Sequence, residues 1–302
     1  MNTSVDLDRF RGCLLGLACG DAVGTTNEFK RRGSFPPLAG MTGGGPFDLP
    51  AGAWTDDTSM ALCLAASLVE CGGFDARDQM KRYLDWLEHG YMSSTGECFD
   101  IGTTTQTSLM RFKHSGDPFS GSSDPNAAGN GSLMRLAPVV LKFFPDRDQT
   151  LHYCAKSSRT THAAQECLDA CRLYGDMLAS ALAGKDKEEI LSSSPADLVT
   201  SEKLKDITRG AYQQKTRDEI HGTGYVVKSL EAALWCFWTT DTFEDAILAA
   251  ANLGDDADTT AAVCGQIAGA YYGESGIPSD WLDKLVMVEE IRGLAERLAI
   301  RI

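Results

Sequence analysis

Apolar residues recur along this chain at spacings of three and four, the repeat of an α-helix with one buried face. Residues 58–71 are rich in Ala, Leu and Met and stop at Gly72-Gly73, a helix-ending signal. The stretch 163–183 places Leu168, Cys171, Leu178 and Leu182 at helical intervals, and 225–238, 242–252 and 258–272 read the same way. Over 283–300, Leu285, Val288, Ile291, Leu294 and Leu298 form one apolar stripe with charges opposite. Strand-like alternation is nearly absent, because Val and Ile are sparse and isolated. The pattern predicts an all-α protein, and with no repeat or linker in view it predicts a single domain over residues 1–302. Two polar stretches, 31–53 and 113–132, read as long functional loops, and the charged, Ser-rich 184–206 reads as a surface connection.

Charge narrows the range of partners. The 302 residues carry 28 Lys and Arg against 42 Asp and Glu, a formal charge of −14. So acidic a field disfavours nucleic acid and anionic membranes as partners. No apolar run reaches the about 20 residues that a membrane helix needs. The longest near the start, Gly12 to Gly20, is flanked by Asp6, Asp8 and Asp21 rather than by the basic residues a signal peptide wants. The chain therefore reads as cytoplasmic. Its ten cysteines are scattered without a CxxC pair. They read as reduced, buried small hydrophobes, not as disulfides or zinc ligands.

Two acidic clusters stand directly before predicted helices: Trp54-Thr55-Asp56-Asp57-Thr58, and Gly254-Asp255-Asp256-Ala257-Asp258-Thr259-Thr260. Either one suits a helix N-cap. Capping needs only one or two such groups, however, and five Asp with neighbouring Thr also suit hard divalent cations, whose charge offsets carboxylate repulsion. An EF-hand matches the second cluster poorly, since the sixth position from Asp256 is Ala261 and the twelfth is Ile267. If the fold joins the clusters, a binuclear oxygen-ligand site results, of the kind that lowers the pKa of bound water. Gly129-Asn130-Gly131-Ser132, ahead of an apolar run, is the kind of loop whose amides bind phosphate.

These segments fall in order with others: Gly20-Asp21-Ala22-Val23-Gly24 leading to Glu28-Phe29, Phe99-Asp100-Ile101-Gly102, the continuation Leu133-Met134-Arg135, and Thr161-His162. In order and spacing the set resembles the ADP-ribosylglycohydrolase family over nearly the whole chain. Residues 99–102 and 225–238 look most like the bacterial dinitrogenase reductase-activating glycohydrolases. The resemblance implies a compact, roughly orthogonal helical bundle with two divalent cations, Mg²⁺ or Mn²⁺, in a central cleft. The implied reaction is hydrolysis of the N-glycosidic bond joining ADP-ribose to a protein side chain, most simply an arginine.

By position the resemblance makes Thr55, Asp56, Asp57, Asp256, Asp258 and Thr259 the metal ligands, with Asp255 standing where many members have Gly. Glu28 and Asp100 match catalytic acidic groups. Gly129, Asn130, Gly131 and Ser132 would lie along the diphosphate and ribose, and His162 near the ribose. Tyr225, after Gly222-Thr223-Gly224, suits either stacking on adenine or core packing. Asp21 reads as structural, Trp54 as packing beneath the metal loop, and Arg135 as a structural partner or added charge. The expected partners are an ADP-ribosylated protein and the product ADP-ribose, with the enzyme a monomer. Competing readings are hydrolysis of another ADP-ribose linkage (serine, O-acetyl or polymer), metal-dependent phosphoester cleavage, and an inactive ADP-ribose-binding relative.

Overall fold

Helices α1 (Leu7–Gly24) and α12 (Ala257–Tyr272) form the axis of the molecule, and their residues explain why. Glycine recurs every fourth residue on α1 at Gly12, Gly16, Gly20 and Gly24, and α12 answers with Gly269, Gly265, Ala261 and Ala257 in reverse order. A Cβ built at Gly16 would lie 2.3 Å from the Gly265 carbonyl oxygen, and one at Gly265 would lie 2.0 Å from that of Gly16. The two helices are thus antiparallel and touch main chain to main chain, an approach that side chains would forbid.

A computed structural model describes residues 5–192 and 194–300. Residues 1–4, 193, 301 and 302, which fall within the expected 1–302 domain and the 184–206 connection, lie outside the described residues. After α1 come α2 (Asp56–Glu70), α3 (Ala76–His89), α4 (Thr103–Ser115), α5 (Ala137–Phe143) and α6 (Arg147–Ser158). Next are α7 (Gln165–Leu182), α8 (Lys187–Ser192), α9 (Glu202–Thr208), α10 (Val226–Trp238) and α11 (Phe243–Ala251). Beyond α12 lie α13 (Ser279–Lys284) and α14 (Val288–Ala299). Among the described residues no strand forms; isolated bridges alone join Gly44 to Leu49, Ser122 to His162 and Gly129 to Tyr225. The protein is all-α, as its periodicity predicts. Around the central pair, α7, α10 and α11 pack on α12, and α2, α5 and α14 on α1.

Two expectations need correction. The stripe over 283–300 is not one helix: the chain breaks between α13 and α14, with Met287 in the left-handed region at φ +56°. Main-chain partners explain the break, since the Val286 amide donates to the Gly52 carbonyl (3.0 Å) and the Val286 carbonyl accepts from the Trp54 indole (3.3 Å). The apolar face survives it, with Leu285, Ile291, Leu294 and Leu298 all buried. Nor is 184–206 only a surface connection. It holds α8 and the start of α9, which bury Ile190, Leu191 and Leu204.

Helix α3 lies in a segment where the periodicity above marks no element. Its signals are local: Asp75 caps it by accepting from the Arg77 and Asp78 amides (2.8 and 3.0 Å), and Gly90 ends it at φ +70°. Between these, Gln79, Met80, Tyr83 and Trp86 make the buried face.

Candidate active site

The antiparallel pairing brings the end of α1 against the start of α12, and that meeting organises the acidic residues. Two carboxylates from the α1 end cap other helices. Asp21, fully buried, accepts from the amides of Thr55 and Thr58 (2.9 and 3.0 Å) and from both their hydroxyls (2.9 and 2.7 Å), closing the first turn of α2. Glu28 Oε2 accepts from the amides of Ala257 and Asp258 (2.7 and 3.3 Å), closing the first turn of α12. Both helix starts, with their positive ends, therefore face the same point.

The two acidic clusters meet there although about 200 residues separate them in the chain. The Thr259 hydroxyl donates to Asp57 Oδ1 (3.2 Å), and the Thr55 hydroxyl is 3.4 Å from Asp258 Oδ2. Asn130 Nδ2 donates to Asp256 Oδ2 (2.8 Å). Glu28, Asp256 and Asp258 each offer an oxygen within 4.8 Å of the others. Asp57 Oδ2 is buried with no hydrogen-bond partner. Among the described residues none of these carboxylates forms an ion pair with Lys or Arg. Burial, then the neighbouring carboxylates, hold Asp56, Asp57 and Asp258 well above the usual carboxylate range, and burial raises Asp256 and Asp21. For the same leading reason Glu28 is pushed up to about 8 and Asp100 to about 7.

A cleft of about 690 Å³ opens over this cluster. Glu28, Asp56, Asp100, Asp256, Asp258 and Thr259 reach its wall, while Thr55 and Asp57 lie buried behind it. Gly129, Asn130, Gly131 and His162 also line the cleft. Gly131 has no side chain because His162 occupies the space, and a Cβ there would be 2.7 Å from the imidazole Cε1. Arg135 Nη2 donates to the Thr161 hydroxyl (2.7 Å), which in turn sits 2.8 Å from His162 Nδ1. The Thr161 hydroxyl meets Nδ1 as donor or acceptor according to the ring's tautomer, and Nε2 is the nitrogen near Gly129 and Gly131. Burial and the Arg135 charge push His162 down to about 3, so the ring stays neutral.

Some of the expected residues lie elsewhere. Ser132 is buried outside the cleft lining, where its hydroxyl accepts from that of Ser158 (2.8 Å). Tyr225 lines a second cavity of about 640 Å³ that shares Thr104, Gly129 and Gly224 with the first. Its hydroxyl donates to Glu166 (2.6 Å) and accepts from Lys203 (2.8 Å). Arg135 is buried and stacks 4.7 Å from the Tyr83 ring, and Trp54 is fully buried. Asp255, at φ +59°, lines the cleft. Two features escaped the sequence reading: the paired capping by Asp21 and Glu28, and Phe29, an exposed ring on the cleft wall. The available signal for Phe29 was an aromatic residue next to Glu28 in an otherwise polar turn.

Known proteins resemble this chain along nearly its whole length. The family model described as ADP-ribosylglycohydrolase matches residues 2–302. The ADP-ribosylarginine hydrolase Tri1 of Serratia proteamaculans (strain 568) is 46% identical over 295 residues, covering 98% of this chain and 80% of that protein. The ADP-ribosyl-[dinitrogen reductase] glycohydrolase of Rhodospirillum rubrum is 32% identical over 287 residues, covering 94% of this chain and 92% of that one. A solved structure described as an ADP-ribosylglycohydrolase-related protein complex superposes with a TM-score of 0.87 at 42% identity, covering 98% of each chain.

Proposed function

Because the chain belongs to the ADP-ribosylglycohydrolase family and is a hydrolase of that kind, we propose that it removes ADP-ribose from arginine side chains of proteins, with two divalent cations. The observation that carries the reading is the meeting of two separate acidic helix starts at one cleft, with Glu28, Asp256 and Asp258 within 4.8 Å of one another. The donors suit hard cations such as Mg²⁺ or Mn²⁺: all are carboxylate or hydroxyl oxygens, one of them, Asp57 Oδ2, buried without a partner. Thr55, Asp56, Asp57, Asp256, Asp258 and Thr259 would hold the cations. When bound, such cations neutralise the clustered carboxylates and lower the pKa of water.

The chain's own groups supply the remaining steps. Asn130 and Gly131 line the wall for the diphosphate and ribose, and His162, neutral, presents Nε2 there. Tyr225 in the adjoining cavity suits the adenine. Glu28 accepts the α12 amides at Oε2 and, once ionised beside bound cations, would take the proton of the attacking water. Asp100, poised at about 7, stands to protonate the departing guanidine nitrogen. Water adds to the anomeric carbon as the carbon–nitrogen bond breaks, and the carboxylates stabilise the oxocarbenium character between the two events. The proposal takes residues 1–302 as one domain acting as a monomer. Its field of −14 would speed encounter with basic target surfaces.

The test is incubation with an arginine-ADP-ribosylated protein in Mn²⁺, in Mg²⁺ and in chelator, followed by mass spectrometry. Intact ADP-ribose, released only with cation, is the expected product. Release of AMP would refute the glycosidic assignment, and release undiminished by chelator would refute the cations.

A further inference from the structure

The cleft carries an apolar feature that hydrolysis as described leaves unused. Phe29 is 67% exposed, yet it lines the cleft beside Glu28 and Asp100. Its backbone sits at φ +60°, a costly conformation for a bulky residue. Two main-chain bonds hold it there: the Phe29 amide donates to the Asp255 carbonyl, and the Asp255 amide donates to the Lys30 carbonyl, both at 2.8 Å. Phe47 meets Phe29 edge-on, with centroids 6.4 Å apart at 74°, and Phe99 lies 5.2 Å beyond Phe47. The three rings form a row whose ends adjoin, in the chain, the two carboxylates assigned to the scissile bond: Phe29 follows Glu28 and Phe99 precedes Asp100. A strained backbone that holds a large ring in water at such a site points to a role for the ring.

The surroundings select its occupant. Asp100 and Asp255 share the cleft wall with Phe29, and no Lys or Arg lines it. A ring face among carboxylates attracts a cation with an apolar stem, and a guanidinium is the cation that also stacks flat on rings. Resting on the proposed function, we propose that Phe29, backed by Phe47 and Phe99, seats the guanidinium and stem of the target arginine and so favours arginine-linked substrate. The ADP-ribose half is bound by Asn130, Gly131 and His162 and does not use the ring.

The experiment compares the full chain, loaded with Mn²⁺, as wild type, Phe29→Ala, Phe29→Leu and Phe29→Trp. Two constants are read: KM for an arginine-ADP-ribosylated peptide, and the inhibition constant of free ADP-ribose, which reports the ADP-ribose half alone. KM should rise about fivefold in the Ala and Leu variants, the loss of one cation–π contact, and return within about twofold in Trp. Inhibition by ADP-ribose should stay within about twofold throughout. Unchanged KM in Phe29→Ala overturns the inference, and so does a parallel loss of ADP-ribose inhibition, which would put ADP-ribose itself on the ring. If the wild type releases no ADP-ribose from the peptide, it is the proposed function that fails, and this inference falls with it. Circular dichroism of each variant separates these outcomes from unfolding.

Discussion

Replacing Gly20 by Ala tests the claim that close approach of α1 and α12 builds the site. A Cβ at Gly20 would lie 2.1 Å from the Ala261 carbonyl oxygen, 2.6 Å from its carbon and 2.9 Å from the Ala262 nitrogen. All three are main-chain atoms, so no rotamer change relieves the clash. Reaching the 3.4 Å of ordinary contact requires the helices to part by about 1.3 Å at this level. Overpacking of this kind costs about 1–3 kcal/mol, and the upper end is expected where two backbones must move. The same parting, carried to the start of α12, takes the Glu28–Ala257 bond from 2.7 Å beyond hydrogen-bond reach. Urea unfolding should therefore show a loss of about 3 kcal/mol, and kcat a loss of about 100-fold, since a displacement near 1 Å at an active site has that effect. Ala261→Gly in the same chain should restore neither, because the obstacle is its carbonyl and not its methyl. Unfolding within about 0.5 kcal/mol of wild type, or rescue by Ala261→Gly, would refute the reasoning.

Other consequences follow from the carboxylates. In chelator, stability should fall as pH rises from 6.5 to 8, because folded Glu28 and Asp100, held up at about 8 and about 7, keep protons that the unfolded chain has released above 4.5 and 3.8. His162, held down at about 3, acts only below its unfolded value of 6.5, where falling pH lowers stability instead. Divalent cation should flatten the fall above pH 6.5, and melting temperatures in both solutions check this; an unchanged slope would count against cations at these groups. Asp57→Asn removes a buried, unpartnered, mutually repelled carboxylate oxygen. In chelator it should be as stable as wild type or more so by about 1 kcal/mol, while cation-dependent ADP-ribose release falls about 100-fold or more; full activity would contradict its place in the site. Asp21→Ala leaves two buried amides and two hydroxyls at the start of α2 without an acceptor. It should cost about 3 kcal/mol by denaturant titration, and a loss below about 1 kcal/mol would show that water or Asp258 replaces the cap.

Much of the fold could be read from the chain, and the reasons are specific. Helices α2, α7, α10, α11 and α12 carry enough apolar residues at helical spacing to declare themselves. Helix α1 does not, because its glycines and cysteines blur the stripe and it is buried nearly all round. The break before α14 was invisible because its cause is distant: Gly52 and Trp54 bond Val286 across more than 200 residues. At the site, residue types announced oxygen ligands at two helix starts, but only the antiparallel packing of α1 on α12 joins them. The capping by Asp21 and Glu28 likewise has no local signature, since each cap comes from outside the helix it closes. Ser132 shows the reverse limit, a loop position whose side chain turned to the core.

The pairing of α1 with α12 also sets a timetable for the nascent chain. Roughly 230 residues separate the end of one helix from the start of the other. At about 5–20 residues per second, α1 leaves the ribosome roughly 10–50 s before its partner exists. During that interval the run from Cys13 to Val23, buried throughout in the finished protein, can meet α2 and α5 but not the helix that covers its glycine face. Chaperones thus encounter a chain whose first helix waits for its main partner, and a chain terminated before Ala257 keeps Asp56 and Asp57 but lacks Asp258 and Thr259, with no means of completing the cleft.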